Sequence, residues 1–428
     1  MSLKSALKMW NLPTAVLSVV GTGAFATKDT NAIVYRADSH CYCPVLNKEY
    51  VARYRNSDGQ MVISDSPAGS GVWTDHIATT PVPAILDEHL VISIVTDGAG
   101  CVIVAWGMHS TPQNVWVGTT PGDCTVTAAG VQASPLVAGQ ATAEAAATYP
   151  VLRRLSVGDI IYLWRTGASG NGNQCVYRWN YVARTWVAVN MALMNGQSTR
   201  SAYLNTVWID VCDRISMAWQ WRDSLAVSDA FDCNMLYTDD GFQSTHSMDG
   251  TLLPGSITST NAPTALAQII PKSPTAIYQA AQGFCCDAGR RGIAINYYDD
   301  GGGAGLQLHA TRYTGSGYVT TQFGTYPAGA LGISRPTAWF YKGVTYVFYS
   351  LTDSLGVEGT WCVYSRNTDL SDVQQFRLDL TPTKDSSVCA SFTHWLYLGK
   401  LVFFNMRTGL SGPTPSNGPN LLTVSLIP

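Results

Sequence analysis

Residues 100–110 read GCVIVAWGMHS, a run of β-branched and apolar residues that closes on an aromatic and then on polar groups. The same design recurs along the chain as KEYVARYRNSDG (48–59), GDIIYLWRTGASG (158–170), DRISMAWQWRDS (213–224), RGIAINYYDDGGG (291–303), GVTYVFYSLTDS (343–354) and GKLVFFNMRTG (399–409). The spacing is roughly 55 residues, with one gap nearer roughly 75 between the fourth and fifth segments. Most segments are followed by a second strand and turn, as in NQCVYRWNYVARTWV and TWCVYSRNTDLSD. A unit of this length holds about four short strands and cannot bury both of its faces alone, so it must stack on its neighbours. A β-solenoid would repeat at a much shorter period. The reading is therefore an all-β chain folded as a single seven-bladed β-propeller over residues 31–428, with residues 1–30 as an attachment or lead-in segment. Ring closure would remove an exposed edge, so the C-terminal run LLTVSLIP (421–428) is expected to pair with an N-terminal strand near AIVYRA (32–37).

Composition narrows the function. Of the 428 residues 46% are hydrophobic and only 13% are charged, the formal net charge is −3, and Lys and Arg form no cluster. Nucleic-acid binding lacks its electrostatic footprint. No apolar run reaches the length of a membrane span, so no membrane-spanning segment is expected. Lys4 and Lys8 precede LPTAVLSVVGTGAFA, with Ala24-Phe25-Ala26 as a cleavage-type site, but Asn11 and Pro13 interrupt that run. The eleven cysteines include Cys101, Cys212 and Cys362 within apparent strands, the pair Cys41 and Cys43, and the adjacent Cys285 and Cys286. Odd in number and without a CxxC or zinc-type spacing, they read as small buried thiols of a chain folded in a reducing cytoplasm. No metal and no cofactor is expected. The 39 Gly, 21 Tyr and 13 Trp, with many Ser and Thr, suit a surface that stacks on and hydrogen bonds to sugars, or an ordinary β core.

Around the first segment, DEHLVISIVTDGAGCVIVAWGMHS (87–110) is a hairpin with a histidine at each far end, His89 and His109. Two histidines so placed point to one shared cleft, although either could be an ordinary hydrogen-bonded strand end. The alternation of apolar strand, aromatic and Arg or His, with the degenerate Asp-box TDDGFQST (238–245), resembles the BNR-4 type of repeat protein. That group includes seven-bladed polysaccharide lyases that cleave ulvan, a sulfated polysaccharide containing uronic acid. The resemblance implies an active site of two histidines twenty residues apart and a tyrosine sixteen residues before an arginine. Here these are His89 and His109, Tyr149 in ATYPVL, and Arg165 in YLWRTGASG. It further implies that Arg165 and His109 neutralise the substrate carboxylate while Tyr149 or His89 takes the C5 proton, without a metal. The separation of the histidine pair from the tyrosine is variable, and the Cys and His cluster that binds zinc in some relatives has no match near Cys233. Arg165 also has counterparts in other repeats, Arg55, Arg222 and Arg407, as a purely structural repeat residue would.

Secondary substrate contacts are expected from Trp219, Trp221 and Arg222 one repeat further on, with one of the two tryptophans in the core, and from Tyr203 and His246 at the rim. Two function classes follow. One is a polysaccharide lyase or depolymerase acting on an acidic glycan by β-elimination. The other is a non-catalytic propeller that binds a glycan or receptor as part of a phage virion, held to other virion proteins through residues 1–30 and reaching the outside by lysis; secretion is the alternative.

Overall fold

The computed structural model describes residues 14–19, 38–55, 58–79, 90–168, 170–224, 229–261, 267–268, 283–298, 307–324, 332–333, 336–352, 358–379, 389–406 and 419–425, and within them each of the seven repeated segments supplies a central strand to its own antiparallel sheet. The first sheet contains His40–Cys43, Lys48–Tyr54, Met61–Pro67 and Thr74–Ile77 in chain order. The second is smaller, with Ser93–Thr96, Val102–Ala105 and Val115–Val117. The third runs Thr185–Met194, Gln174–Asn180, Ile160–Thr166, Ala147–Arg154 and His109–Thr111 across the sheet. In the fourth, Ser201–Leu204 and Trp208–Ile209 flank Ile215–Arg222, which pairs on its other side with Ala230–Thr238. The fifth and sixth centre on Gly292–Tyr298 and Val344–Thr352.

These central strands are buried along their length because both faces are covered. All residues of Ile160–Arg165 are buried, as are all of Ile215–Arg222, where a sheet wetted on one face would show strict alternation. One hairpin turn recurs between first and second strands. Asp97, Asp210 and Asp287 each accept, through Oδ1, the backbone N–H groups two and four residues on, at 2.8 to 3.1 Å. An aspartate can do this because its short side chain reaches its own downstream backbone and satisfies donors the turn leaves unpaired. The Asp-box stretch is also a turn: Thr238 Oγ1 accepts from the Phe242 N–H at 2.9 Å and Asp240 Oδ1 from the Ser244 N–H at 2.9 Å.

Contacts between sheets follow chain order and return to the start. The Ile94 N–H donates to the Asp38 carbonyl (2.7 Å), and the Leu152 N–H to Ser93 Oγ (2.9 Å). Arg153 Nε donates to the Val207 carbonyl at 2.9 Å, and Asn205 Nδ2 to the Gly283 carbonyl at 3.1 Å. A Cβ on Gly283 would stand 2.9 Å from the Ala338 nitrogen of the sixth sheet, so only glycine permits that approach. Trp339 packs on Phe392 and Trp395 of the short helix Phe392–Leu398, which precedes Leu401–Met406. The circuit ends where His40 Nε2 donates to the Val402 carbonyl (2.9 Å) and the Tyr42 N–H to Thr393 Oγ1 (2.7 Å).

The seventh sheet joins the two ends of the chain. Pro419–Ser425 lies between Leu401–Met406 and Thr14–Val19, with Thr14 opposite Ser425 and Val19 opposite Asn420. The C-terminal strand thus pairs with the N-terminal region, but the partner is Thr14–Val19 and not the stretch 32–37. Both its ladder edges are taken, and residues 32–37 lie outside the described residues. Ten cysteines have described side chains; all ten are free, and of these only Cys212 is exposed. No helix among the described residues is long and apolar enough to cross a membrane.

Candidate functional site

The chain leaves the second sheet after Ala105, turns through Gly107 at φ 68°, and adds His109–Thr111 to the edge of the third sheet within four residues. That jump places His109 in register with Thr148, which is itself opposite Arg165, which is opposite Gln174. Directly opposed residues of antiparallel strands share a face, so His109, Thr148, Arg165 and Gln174 form one row across four strands. The row breaks at Tyr149. The register shifts between Thr148 and Val151, and Tyr149 adopts φ 57°, a left-handed conformation that costs a non-glycine residue energy. Ser110, next to His109, is also left-handed at φ 55°, and its N–H donates to Thr148 Oγ1 at 2.8 Å. Irregularities of this kind re-aim a side chain that a regular strand would send elsewhere.

The result is a stack. His109 and Tyr149 lie ring on ring at 6.5 Å, and the Arg165 guanidinium carbon is 4.7 Å from the Tyr149 ring centre and 5.0 Å from that of Tyr203. Tyr203 comes from the fourth sheet, and Arg222 of that sheet approaches the same ring at 4.9 Å. Arg165 is fully buried, and Nε, Nη1 and Nη2 have no hydrogen-bond partner among the described residues. Its stem is accommodated by Gly172, where a Cβ would meet the Thr166 carbonyl at 2.1 Å and Arg165 Cγ at 3.2 Å. A small depression lined by Tyr149, Val151, Gln174, Tyr203 and Leu204 opens over the cluster. Beside it, Gln220, opposite Tyr203 in register, donates to Asn205 Oδ1 (2.9 Å) and Asn296 Oδ1 (3.0 Å), a buried amide network joining the fourth and fifth sheets.

The structure thus brings together His109, Tyr149, Arg165, Tyr203 and Arg222. His89 lies outside the described residues. Trp219 and Trp221 are corrected: both are wholly buried and pack edge to face at 6.2 Å, so neither offers a surface to a sugar. Residues two apart on a strand point the same way, and the expectation that one would face out fails on that periodicity. His246 is likewise elsewhere. It stacks on Tyr237, which pairs with Ser216, and Ser216 is six residues from Arg222 along one strand, roughly 20 Å at ~3.3 Å per residue. Gln174 was not picked out from the sequence, because nothing local marks a polar residue at a strand start as cross-strand neighbour to an arginine.

Among the described residues, seven β-sheets in sequential contact and a buried arginine with no hydrogen-bond partner, under an aromatic cover between two of them, define a propeller-type scaffold with a polar site at a junction of sheets. The chain belongs to the BNR repeat-containing family, whose model matches residues 48–325. No curated protein sequence matches it. Among solved structures, the polysaccharide lyase Uly1 superposes with a TM-score of 0.69 at 12% identity, over 96% of this chain and 99% of that one. An ulvan lyase bound to -[GlcA(1-4)Rha3S]- gives 0.67 at 12% identity over 96% of each chain. A lectin from Burkholderia pseudomallei gives 0.51 at 10% identity, covering 92% of this chain and 98% of that one. At such identities the likeness is one of fold.

Proposed function

We propose that this protein is a polysaccharide lyase that cleaves a uronic acid-containing glycan by β-elimination at the His109–Tyr149–Arg165 cluster, on one closed propeller whose seven blades are the seven sheets. The observation that carries this reading is Arg165. A guanidinium sealed from water with no hydrogen-bond partner among the described residues is expensive unless an anion eventually pairs with it, and its planar fork suits a carboxylate in two parallel hydrogen bonds. The likeness of fold to two polysaccharide lyases supports the same class of reaction.

In the reaction, neutralising the C6 carboxylate acidifies the C5–H bond. A base then takes the C5 proton, the C4–O bond breaks as the C4=C5 double bond forms, and the departing oxygen receives a proton to become a hydroxyl. Arg165 holds the carboxylate charge, with His109 beside it as a second donor. Tyr149, whose ring lies on the Arg165 guanidinium, enters the step as its phenolate, takes the C5 proton and, as the phenol, passes that proton to the departing oxygen. Because Tyr149 and Tyr203 cover Arg165, the carboxylate reaches it only as one ring turns aside. The left-handed Tyr149 is the residue with strain to release.

The test is incubation with a panel of uronic acid polysaccharides, following the ultraviolet absorbance of the unsaturated product. Wild type should cut at least one, Tyr149→Phe should cut none at a measurable rate, and Arg165→Met should be slower by ~10²–10³-fold. If purified wild type leaves every acidic glycan uncut, the catalytic reading falls and glycan binding without cleavage takes its place.

A further inference from the structure

On the outer half of the first sheet, Asp65 lies on Met61–Pro67 and His76 on Thr74–Ile77. Ile63 pairs with His76 and Asp65 with Thr74, so Asp65 and His76 are diagonal neighbours on one face. Cys124 reaches them from the segment after Val115–Val117 of the second sheet. That segment is anchored to the first sheet by the Thr79 N–H, which donates to the Val126 carbonyl at 2.9 Å. One ligand atom each of Asp65, His76 and Cys124 lie within 4.8 Å of one another. We propose that Asp65, His76 and Cys124 form a binding site for a zinc-class divalent transition metal, which clamps the outer edge of the first sheet to the second.

The donor set fits that class of ion. A thiolate, an imidazole and a carboxylate together suit zinc and its borderline-soft neighbours, whereas magnesium and calcium take oxygen alone. Metal–ligand bonds of ~2.0–2.3 Å in tetrahedral array put ligand atoms roughly 3.5 Å apart, so the cluster needs only a modest contraction. The carboxylate is already divided between two tasks. Lys48 Nζ donates to Asp65 Oδ2 at 2.6 Å and orients the group, while Oδ1, 2.7 Å from His76 Nε2, faces the other ligands.

A second observation points into the same place. Tyr50, opposite Asp65 in register, is fully buried, and its hydroxyl has no hydrogen-bond partner among the described residues. A Cβ on Gly122, two residues before Cys124, would stand 3.6 Å from that hydroxyl. A metal-bound water in the fourth position would supply the missing partner. Asp65 and Cys124 are buried but the His76 side chain is 32% exposed, which leaves a path from solvent.

The experiment uses the full chain, stripped with a chelator and titrated with cobalt(II) as a spectroscopic probe and then with zinc. One equivalent of cobalt should give an intense near-ultraviolet thiolate-to-cobalt charge-transfer band, zinc should displace it, and zinc should raise Tm by mass action. Cys124→Ser should abolish the band, and His76→Ala, at a part-exposed outer strand where folding is tolerant, should weaken binding about 100-fold. Cys212→Ser, which changes the exposed thiol elsewhere, should alter nothing. Absence of the band in wild type, its survival in Cys124→Ser, or unchanged affinity in His76→Ala would each overturn the assignment.

Discussion

Two buried arginines twelve residues apart show how different a guanidinium can be. Arg153 is well partnered: Nε donates to the Val207 carbonyl, Nη1 to the Leu152 carbonyl at 2.9 Å, Asp38 lies 3.2 Å away, and its guanidinium covers the Phe392 ring at 4.7 Å. Arg165 has aromatic rings above it and no hydrogen bond among the described residues. The same substitution should therefore have opposite consequences. Arg153→Met removes the buried cation 3.2 Å from the buried Asp38 and is expected to cost about 3–5 kcal/mol, read as a lower urea midpoint. Arg165→Met removes an uncompensated charge at similar volume, so Tm should hold or rise while any lyase rate falls by ~10²–10³-fold, the scale of losing one preorganised donor. A marked loss of Tm in Arg165→Met would show that the arginine holds the fold together. That is the role of a purely structural repeat residue, the one its counterparts Arg55, Arg222 and Arg407 suggest.

At the scale of elements, the repeated hairpin turn explains why the period survives in a chain with so little literal repetition. Three aspartates close three equivalent turns with the same two hydrogen bonds, although the residues between them are GAG, VCD and AGR. What recurs is an acceptor at one position, since only the acceptor is required by the backbone donors of the turn. Asp210→Ala should cost about 1–2 kcal/mol by leaving two N–H groups unpaired, and Asp210→Asn, which keeps an oxygen, clearly less; denaturant unfolding of the pair checks this. Strand positions and apolar runs were legible because burial on both faces leaves a continuous hydrophobic signature. The environment of Trp219 and Trp221 was not, because a stacked sheet hides both of its faces and composition alone does not say which aromatic meets solvent.

The whole molecule depends on the join between the first and seventh sheets, whose centre holds two buried histidines. His40 is buried and its pKa is pushed down to about 3, first by burial and then by the neighbouring His394, against a rise from its bond to the Val402 carbonyl. His394 is also lowered by burial, with Glu49 at 3.3 Å pulling the other way and Lys400 adding to the fall. Between pH 6.5 and about 3 the unfolded chain therefore binds a proton at His40 that the folded chain refuses. Stability is complete above the unfolded pKa and declines as pH falls, by up to about 1.4 kcal/mol per pH unit for one such histidine. Thermal unfolding at stepped pH should show Tm falling below neutrality, and His40→Gln, which keeps a donor for the Val402 carbonyl, should flatten that slope. An unchanged slope would place the titrating groups elsewhere.

By itself the sequence determined that this is an all-β chain with seven similar strand segments, and through a family resemblance it joined His89, His109, Tyr149 and Arg165 as one candidate site. Both follow from local chemistry: apolar runs closing on aromatics, turn aspartates, and residue types set at spacings that a family resemblance could carry. Tertiary structure alone decided the rest. It showed that the C-terminal strand seats against Thr14–Val19, that His109 crosses to the third sheet, and that Tyr203 joins the cluster from the fourth. It also gathered Asp65, His76 and Cys124, which are eleven and forty-eight residues apart and match no metal-binding spacing. The physical reason is register: a slip of one residue turns a strand's whole set of side chains to its other face, and a bulge such as that at Tyr149 shifts register without leaving a mark in composition.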